Sequence, residues 1–437
     1  MPAARSGQIS LFPILLVNFI GTLGFSIVLP FLVTLVDRLG GNALVYGIMG
    51  ATYSAFQLVG APVLGRWSDT YGRRKILLLS QLGTLASWIV FLSALFLPVS
   101  TILDVDSAVF GGFALTLPLI VLFFARALDG LTGGNVSVAN AYLADVSDES
   151  ERKMNFGKMA VAGNLGFIGG PTLAGLLGAT RYGEIVPVVT ALLISVVASA
   201  VITFYLPESR PSVLEAPPEG TTLRKVFGLE HKDCYEINGG GKVGFKEVLA
   251  IPPVPFLLFL YFMIFLGFNL FYTAFPVHAV RGLEWSITDI GLFFSFLGLT
   301  TVLVQGPLLS KLGPTISDRA LTAIGAAILG TGFLFFTSPS RPVLYAGAAL
   351  FSLGNGLMWP SFMALLANAA GERFQGAVQG IGSSVGSLAS IVGLIVGGVL
   401  YETVGRGTFV GSSVLIYLVA GFCIAFAYRA SRNARRT

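Results

Sequence analysis

One stretch decides the fold of this chain: residues 65–75 read GRWSDTYGRRK and stand between two long apolar segments. The glycines at its start and near its end permit tight turns, and Asp69 lies among four cationic residues. A weaker copy follows 241 residues later, where Gly306 and Gly313 repeat the spacing of the two glycines. The recurrence indicates that the two halves of the chain share one plan.

The composition is that of a membrane protein. Hydrophobic residues make up 54% of the chain and charged residues only 11%, whereas a soluble domain carries roughly a quarter charged residues. Apolar stretches of about 20 residues recur, and each can cross the hydrocarbon core as a helix. We predict an all-α membrane protein whose twelve transmembrane helices cover about Leu11 to Leu35, Val45 to Leu64, Ile76 to Leu97, Leu119 to Leu143, Phe156 to Leu177, Val186 to Leu206, Pro255 to Ala279, Ile287 to Leu309, Leu321 to Phe336, Val343 to Leu366, Ala377 to Tyr401 and Phe409 to Tyr428.

The basic residues orient these spans in the membrane. Of the 27 Lys and Arg residues, 21 fall on the side that holds both termini, five fall on the opposite side, and Arg126 lies inside a span. Short cytoplasmic loops carry the excess of Lys and Arg, so we predict that both termini are cytoplasmic. The same bias produces the net charge of +5, so no nucleic-acid partner is needed to explain it. The segment from Pro98 to Pro118 is a loop or a membrane-dipping segment, and its two aspartates favour the loop.

A polar, glycine-containing run separates six spans from six. We predict an N-terminal six-helix half at 1–206, a cytoplasmic linker at 207–254 and a C-terminal six-helix half at 255–437, the two halves being pseudo-symmetric. An acid-base pair before span five, at 151–152, recurs before span eleven, at 372–373. Parallel halves of this kind are a transporter architecture, with the binding site near the midplane between them.

The sequence contains no motif for catalysis or for a cofactor. His231 and Cys234 are two ligands, too few for a zinc site, and Lys242 lacks the following Ser or Thr of a nucleotide-binding P-loop. Cys234 and Cys423 are the two cysteines, one in the linker and one in the last span, so no disulfide is expected. We therefore expect no enzyme activity, no cofactor and no metal site.

The loop at 65–75 resembles the signature loop of the major facilitator superfamily. The resemblance implies the major facilitator fold and a conformational latch made of Gly65, Asp69, Gly72, Arg73 and Asp145. In such a latch Asp69 faces the N-terminus of span eleven, where the helix dipole favours an anion, and pairs with Arg73 and Asp145. In the second copy Ser310 takes the place of Asp69, so the latch should be one-sided.

Spans four and five extend the resemblance. Span four resembles the second signature of the superfamily, and its end, AYLAD at 141–145, is similar to the tetracycline and multidrug efflux branch. Span five reads GNLGFIGGPTLAG over 163–175 and is similar to the antiporter signature, with motif residues Gly166, Gly170, Pro171 and Gly175. Small residues four apart let helices pack closely. Span one departs from the tetracycline branch because it holds no acid, which puts tetracycline itself in doubt as substrate.

Asp129 is the one acid among 22 that lies well inside a predicted span, with Arg126 three residues before it. An ionised carboxylate near the bilayer centre costs roughly 2.5 to 3.5 kcal/mol, so such residues usually have a function. Arg126 favours the charged form, whereas desolvation favours the protonated form, and this balance suits a proton carrier. The alternative is a purely structural ion pair that orients span four.

The substrate cavity should be lined by spans one, two, four, five, seven, eight, ten and eleven. Scattered amides and aromatic rings in these spans suit a flat, partly apolar ligand, although each suits core packing equally well. The candidates are Asn18, Phe25, Tyr53, Gln57, Asn135, Asn140, Asn269, Tyr272, Asn355, Trp359 and Phe362. His278, near the outer end of span seven, is expected to be interfacial rather than a proton carrier.

The leading interpretation is a secondary active transporter that exports an amphipathic small molecule or drug in exchange for protons, by alternating access. One alternative is an uncoupled or import-directed carrier of a sugar, amino acid or organic anion. Another, of a different class, is a transporter-like receptor or scaffold. The expected partners are a small-molecule substrate, protons and the lipid bilayer, with the protein monomeric in a bacterial inner membrane.

Overall fold

Helices dominate the structure, a computed structural model that describes residues 10–133, 135–147, 149–209 and 245–434. The first group is α1 (Phe12–Ser26), α2 (Leu29–Arg38), α3 (Ala43–Tyr71), α4 (Arg73–Ala94), α5 (Leu117–Thr132), α6 (Asn135–Val146), α7 (Glu149–Gly178) and α8 (Ile185–Tyr205). The second group is α9 (Phe245–Leu249), α10 (Pro253–Arg281), α11 (Ile287–Leu303), α12 (Leu309–Leu312), α13 (Asp318–Phe335), α14 (Arg341–Val404) and α15 (Gly407–Ala434). Within the described residues, twelve helical segments are long and apolar enough to cross a membrane. The predicted twelve-helix, multi-pass membrane protein is thereby confirmed.

The spans bend where the sequence interrupts regular hydrogen bonding. The first span, Phe12–Arg38, is divided between α1 and α2, and Pro30 at the start of α2 has no N–H to donate. α14 carries two spans, Arg341–Gly371 and Val378–Val404, which meet where Gly371 adopts a φ of 66°. Only glycine takes this left-handed conformation readily, so Gly371 permits the kink that separates spans ten and eleven.

The segment between spans three and four forms a two-stranded antiparallel hairpin. Strand β1 covers Thr101–Val105 and strand β2 covers Phe113–Thr116, with an irregularity in register between Thr101 and Leu103. The backbone N–H of Ala114 donates to the Gly40 carbonyl at 2.8 Å. A Cβ on Gly40, whose φ is 94°, would lie 3.1 Å from the Ala114 side chain. The loop interpretation of this segment is therefore the better one, with strand pairing that the sequence pattern did not reveal.

The described chain forms two compact units. The first comprises residues 10–31, 52–100 and 117–209, and the second comprises 32–51, 101–116 and 245–434. The second unit thus includes a short part of spans one and two and the hairpin. Most of the predicted linker, with His231 and Cys234, lies outside the described residues.

Each unit has its own apolar core. In the first unit, Ile14, Leu77 and Tyr142 are completely buried in a cluster that joins helices α1, α4 and α6. In the second unit the core is aromatic, and eight phenylalanine rings among the described residues are completely buried: Phe271, Phe275, Phe293, Phe333, Phe336, Phe351, Phe362 and Phe409. Neighbouring rings pack edge-to-face, tilted or stacked: Phe293 meets Phe336 edge-to-face, a geometry that the ring quadrupoles favour, and Phe275 stacks on Phe293 with 4.3 Å between centroids.

Candidate functional site

The latch residues of the first unit meet around one buried guanidinium. Arg73 lies 2.5 Å from Asp69 and 3.0 Å from Asp145, and its Nη1 donates to the Ser68 hydroxyl at 2.6 Å. Only 6% of its side chain is exposed, and buried charges of this kind depend on being paired. Gly72 has a φ of 101° and ends the turn that places Arg73 at the start of α4. One cation thus links the end of α3, the start of α4 and the end of α6.

Glu208, directly after α8, is a residue that the sequence reasoning missed. Its Oε1 accepts the backbone N–H of Arg73 at 2.8 Å and its Oε2 accepts that of Arg74 at 3.1 Å. Both oxygens therefore satisfy free amides at the N-terminus of α4, where the helix dipole also favours a negative charge. A Cβ on Gly72 would come within 2.6 Å of this carboxylate and displace it from the two amides, while the positive φ of Gly72 is what favours glycine at this position.

The same network holds the first residues of the predicted linker. Ser209 donates from Oγ to Asp145 at 3.2 Å, and Tyr142 donates from its hydroxyl to the Pro207 carbonyl at 3.0 Å. Glu208 follows the end of span six and contacts the start of α4, which lies more than 130 residues earlier in the sequence. Sequence spacing gives no signal for such a partner.

The second copy of the loop differs in chemistry. Ser310 is exposed and donates to the Pro307 carbonyl at 3.0 Å, and Gly306 falls within a five-residue π-helical turn, Val304–Leu308. A neutral hydroxyl at this position cannot form the ion pair that Asp69 makes. That the latch is one-sided, and that Asp69 faces the start of span eleven, stay predictions.

We predict that Asp69→Asn slows transport several-fold while the protein still folds and inserts. The substitution removes a charged partner from Arg73, but Asp145 and Ser68 remain in contact with it, and Asp69 is 27% exposed. Initial rates over a full substrate titration measure the effect, with Ser310→Ala as the matched control in the second copy. Parental rates for Asp69→Asn at every concentration would show that the cluster is no latch.

A second ion pair lies inside span four. Nη1 of Arg126 donates to Oδ2 of Asp129 at 3.2 Å, and the two side chains are 8% and 14% exposed. The Arg126 guanidinium also lies over the Tyr53 ring, 4.5 Å from its centroid, an arrangement that attracts a cation to the ring face. Gln57 donates to the Tyr53 hydroxyl at 3.1 Å and to the Gly133 carbonyl at 3.2 Å. Helices α3 and α5 thus hold the pair in a fixed position.

Asp129 borders a chamber of about 250 Å³ within the first unit. Three predicted cavity residues, Phe25, Tyr53 and Gln57, line this chamber. The remaining lining residues are Ile20, Gly21, Thr22, Gly24, Gln81, Thr84, Trp88, Gly133 and Ser195. Spans three and six, which the sequence reasoning left out of the cavity, therefore contribute to it. Polar residues three apart in an otherwise apolar span three were the signal that could have indicated this.

Close packing of span five against span one depends on two motif glycines. A Cβ on Gly166 would overlap the Phe19 carbonyl oxygen, and one on Gly170 would overlap the Ser26 hydroxyl and the Ile27 amide. The Ser26 hydroxyl donates to the Gly166 carbonyl at 3.1 Å. Pro171 and Gly175 follow on the same helix α7, both buried. The four motif residues thus lie on a helix whose backbone touches that of α1.

The other cavity candidates occupy different surroundings. Asn18 donates to the Met159 carbonyl at 2.9 Å and so joins α1 to α7. In the second unit, Asn269 donates to the Ser390 hydroxyl at 3.0 Å, and Tyr272 packs on the ring of Phe294.

Trp359 and Phe362 stack together beside Tyr261. Phe362 is completely buried there, whereas Asn355, Trp359 and, in the first unit, Asn140 are half-buried. The side chain of Asn135 lies outside the described residues.

His278 is buried among the helices of the second unit, and its placement at the membrane interface stays a prediction. Its Nδ1 lies 3.0 Å from the Tyr401 hydroxyl, and 3% of the residue is exposed. No group of three His, Cys, Asp or Glu side chains in the described ranges is placed to hold a metal ion.

Comparison with known proteins places the chain in a family. The family model of the Major Facilitator Superfamily matches residues 14–394 and 257–436. The tetracycline resistance protein of class E from Escherichia coli is 26% identical over 391 residues, covering 89% of this chain and 87% of that protein. The class G protein from Vibrio anguillarum is 28% identical over 389 residues, covering 87% of both. The crystal structure of the human organic anion transporter MFSD10 (TETRAN) aligns with a TM-score of 0.64 at 23% identity, over 97% of this chain and 100% of that one.

These matches confirm the resemblance to the superfamily and to its tetracycline branch, and they confirm that the chain is a transporter rather than an enzyme. Its substrate is accordingly a small molecule. The chain belongs to the Major Facilitator Superfamily of membrane transporters.

Proposed function

We propose that this transporter exports an amphipathic small molecule in exchange for protons, by alternating access. The observation that carries the proposal is the Asp129–Arg126 pair, buried in span four and bordering a chamber of about 250 Å³. The names of the tetracycline resistance relatives support export of a drug-like compound over import and over a receptor role. Aromatic rings beside amides and hydroxyls in the chamber suit an amphipathic cargo.

The surroundings of Asp129 support the proposed proton-carrier role. A carboxylate in an apolar helix is costly when charged and unpaired, and Arg126 compensates for that charge at 3.2 Å. Taking up a proton neutralises the carboxylate and weakens this pairing, so protonation changes both the charge and the contacts of span four. Such a change couples a proton to a conformational step.

In this proposal the conformational change involves the latch and the glycine-packed helices α1 and α7. Arg73 with Asp69 and Asp145 ties three helix ends of the first unit together, and Glu208 ties the start of the linker to the same place. Close packing of α1 on α7 seals that pair of helices against leakage. Re-forming the latch once per cycle would then limit the transport rate, so a weakened latch should slow transport.

We propose that the protein is monomeric in a bacterial inner membrane, with both termini in the cytoplasm. Single cysteines at Thr70 and at Gly240, in a chain whose Cys234 and Cys423 are replaced, should react with an impermeant maleimide only from the cytoplasm. A cysteine at the exposed Asp104 of the hairpin should react only from outside. Labelling at Gly240 from outside in intact cells would overturn this orientation.

Uptake into everted membrane vesicles tests the exporter proposal. We expect an acidic vesicle interior to drive accumulation of at least one member of a panel of fluorescent amphipathic compounds, and nigericin to abolish it by collapsing the pH gradient. Vesicles that lack the protein provide the background. Uptake that does not depend on the pH gradient would favour the uncoupled carrier. Absence of uptake for every compound in the panel would favour the receptor or scaffold.

A further inference from the structure

The chamber beside Asp129 is lined by mostly uncharged side chains. Among the described residues that line it, Asp129 is the charged one. Arg126 donates to Oδ2 of this carboxylate, and the side chains of Thr84 and Ser87 are placed to hydrogen-bond with it as well. A carboxylate offers about four lone-pair directions on its two oxygens, and the Ser87 hydroxyl already donates to the Thr84 carbonyl. Asp129 therefore keeps the capacity to accept a further donor from the chamber.

A second acceptor in the same lining lacks a donor. Gln81 is 2% exposed, and its Oε1 accepts no hydrogen bond from any described residue. A buried amide oxygen without a partner costs free energy that a bound donor would recover. Gln81 precedes Thr84 by three residues on α4, so it lies about one turn, roughly 5 Å along the helix, from the group beside Asp129.

The rest of the lining is aromatic and fits a ring. Phe25 and Tyr53 lie 5.3 Å apart between ring centroids, and Trp88 lines the chamber with them. Aromatic faces attract a cation as well as an apolar ring. A cavity of about 150 Å³ accommodates benzene, so the chamber of about 250 Å³ accommodates a ring with a short side chain.

We infer that the cargo is a protonated primary or secondary amine on a small aromatic ring, with its N–H donors shared between Asp129 and Gln81. The inference rests on the proposed export function and names its substrate class. Gln81 is then the residue that selects for N–H groups, because a quaternary ammonium ion carries the same charge but has no proton to donate. An aromatic carboxylate should be rejected by the Asp129 charge.

Binding to the purified full chain in lipid nanodiscs tests this selectivity by calorimetry. The probes share an indole ring: tryptamine, its N,N,N-trimethyl derivative and indole-3-propionate. We expect tryptamine to bind about tenfold or more tightly than the trimethyl compound, as hydrogen bonds to a charged group allow, and the propionate to bind weakest. Gln81→Met, which keeps the volume and removes the acceptor, should erase most of this preference, and Gln81→Glu should retain it.

Gln305→Met, in the π-helical turn of the second unit, is the matched control and should keep the parental preference. A preference that persists in Gln81→Met would be steric and would overturn the role of Gln81. Equal binding of tryptamine and the trimethyl compound to the parental chain, or tighter binding of the propionate, would overturn the cargo class. Vesicle uptake separates the two proposals. Selective amine binding without any gradient-driven uptake would refute only the export proposal. Gradient-driven uptake of other compounds without amine selectivity would refute only the proposed cargo class.

Discussion

Replacing Asp129 by Asn should abolish proton-driven accumulation yet still allow downhill exchange of substrate at saturating concentration, although the neutral amide should hold a cationic cargo less tightly. The amide has nearly the shape of the protonated carboxyl group but cannot release a proton, so the transporter should behave as if permanently protonated. Arg126 would lose its charged partner at 3.2 Å, yet it would keep its contact with the Tyr53 ring. Everted vesicles with an acidic interior measure accumulation, and counterflow of labelled substrate without a gradient measures exchange.

Asp104→Asn is the matched control, because Asp104 is exposed on the hairpin strand β1 and should leave both activities unchanged. If Asp129 instead forms a purely structural pair, its amide variant should lower insertion, folding and both modes of transport together. Full gradient-driven accumulation by a well-inserted Asp129→Asn protein would exclude Asp129 as the coupling residue.

Gly170→Ala should destabilise the protein by about 1–3 kcal/mol, the usual range when a close-packed site receives an extra methyl group, and should strongly reduce transport. The added Cβ would overlap the Ser26 hydroxyl and come within 2.7 Å of the Ile27 amide nitrogen. Backbone atoms cannot rotate away as a side chain does, so α7 must move from α1. Thermal unfolding in detergent and vesicle transport report the two effects.

Gly157→Ala on the same helix α7 is the control, since a Cβ there meets no atom within 4 Å. Alanine raises intrinsic helix stability by up to about 1 kcal/mol over glycine, so this variant should unfold at the same or a higher temperature. A Gly170→Ala protein as stable and active as Gly157→Ala would show that α1 and α7 are not tightly packed in the working transporter.

Much of the architecture was predictable because lipid restricts what a chain can do. Backbone amides in hydrocarbon must be satisfied within each segment, so apolar length alone indicated twelve helices, and twelve spans are present in the described residues. The acid inside span four was equally visible, because Asp129 stands alone in apolar sequence and Arg126 follows the helical spacing. The hairpin was not predictable, since β1 pairs with β2 through backbone groups and its irregular register leaves no clear alternation.

The sequence by itself determined the spans and the presence of an ion pair inside one of them, because apolar length and local spacing act over a few residues, and its loop motif indicated the family by resemblance. Tertiary structure alone decided which distant groups meet: Glu208 caps α4 across more than 130 residues, and Gln81, Trp88 and Ser195 join Asp129 around one chamber. Such contacts depend on which helix faces touch, and that follows from packing between helices rather than from the pattern along any one of them.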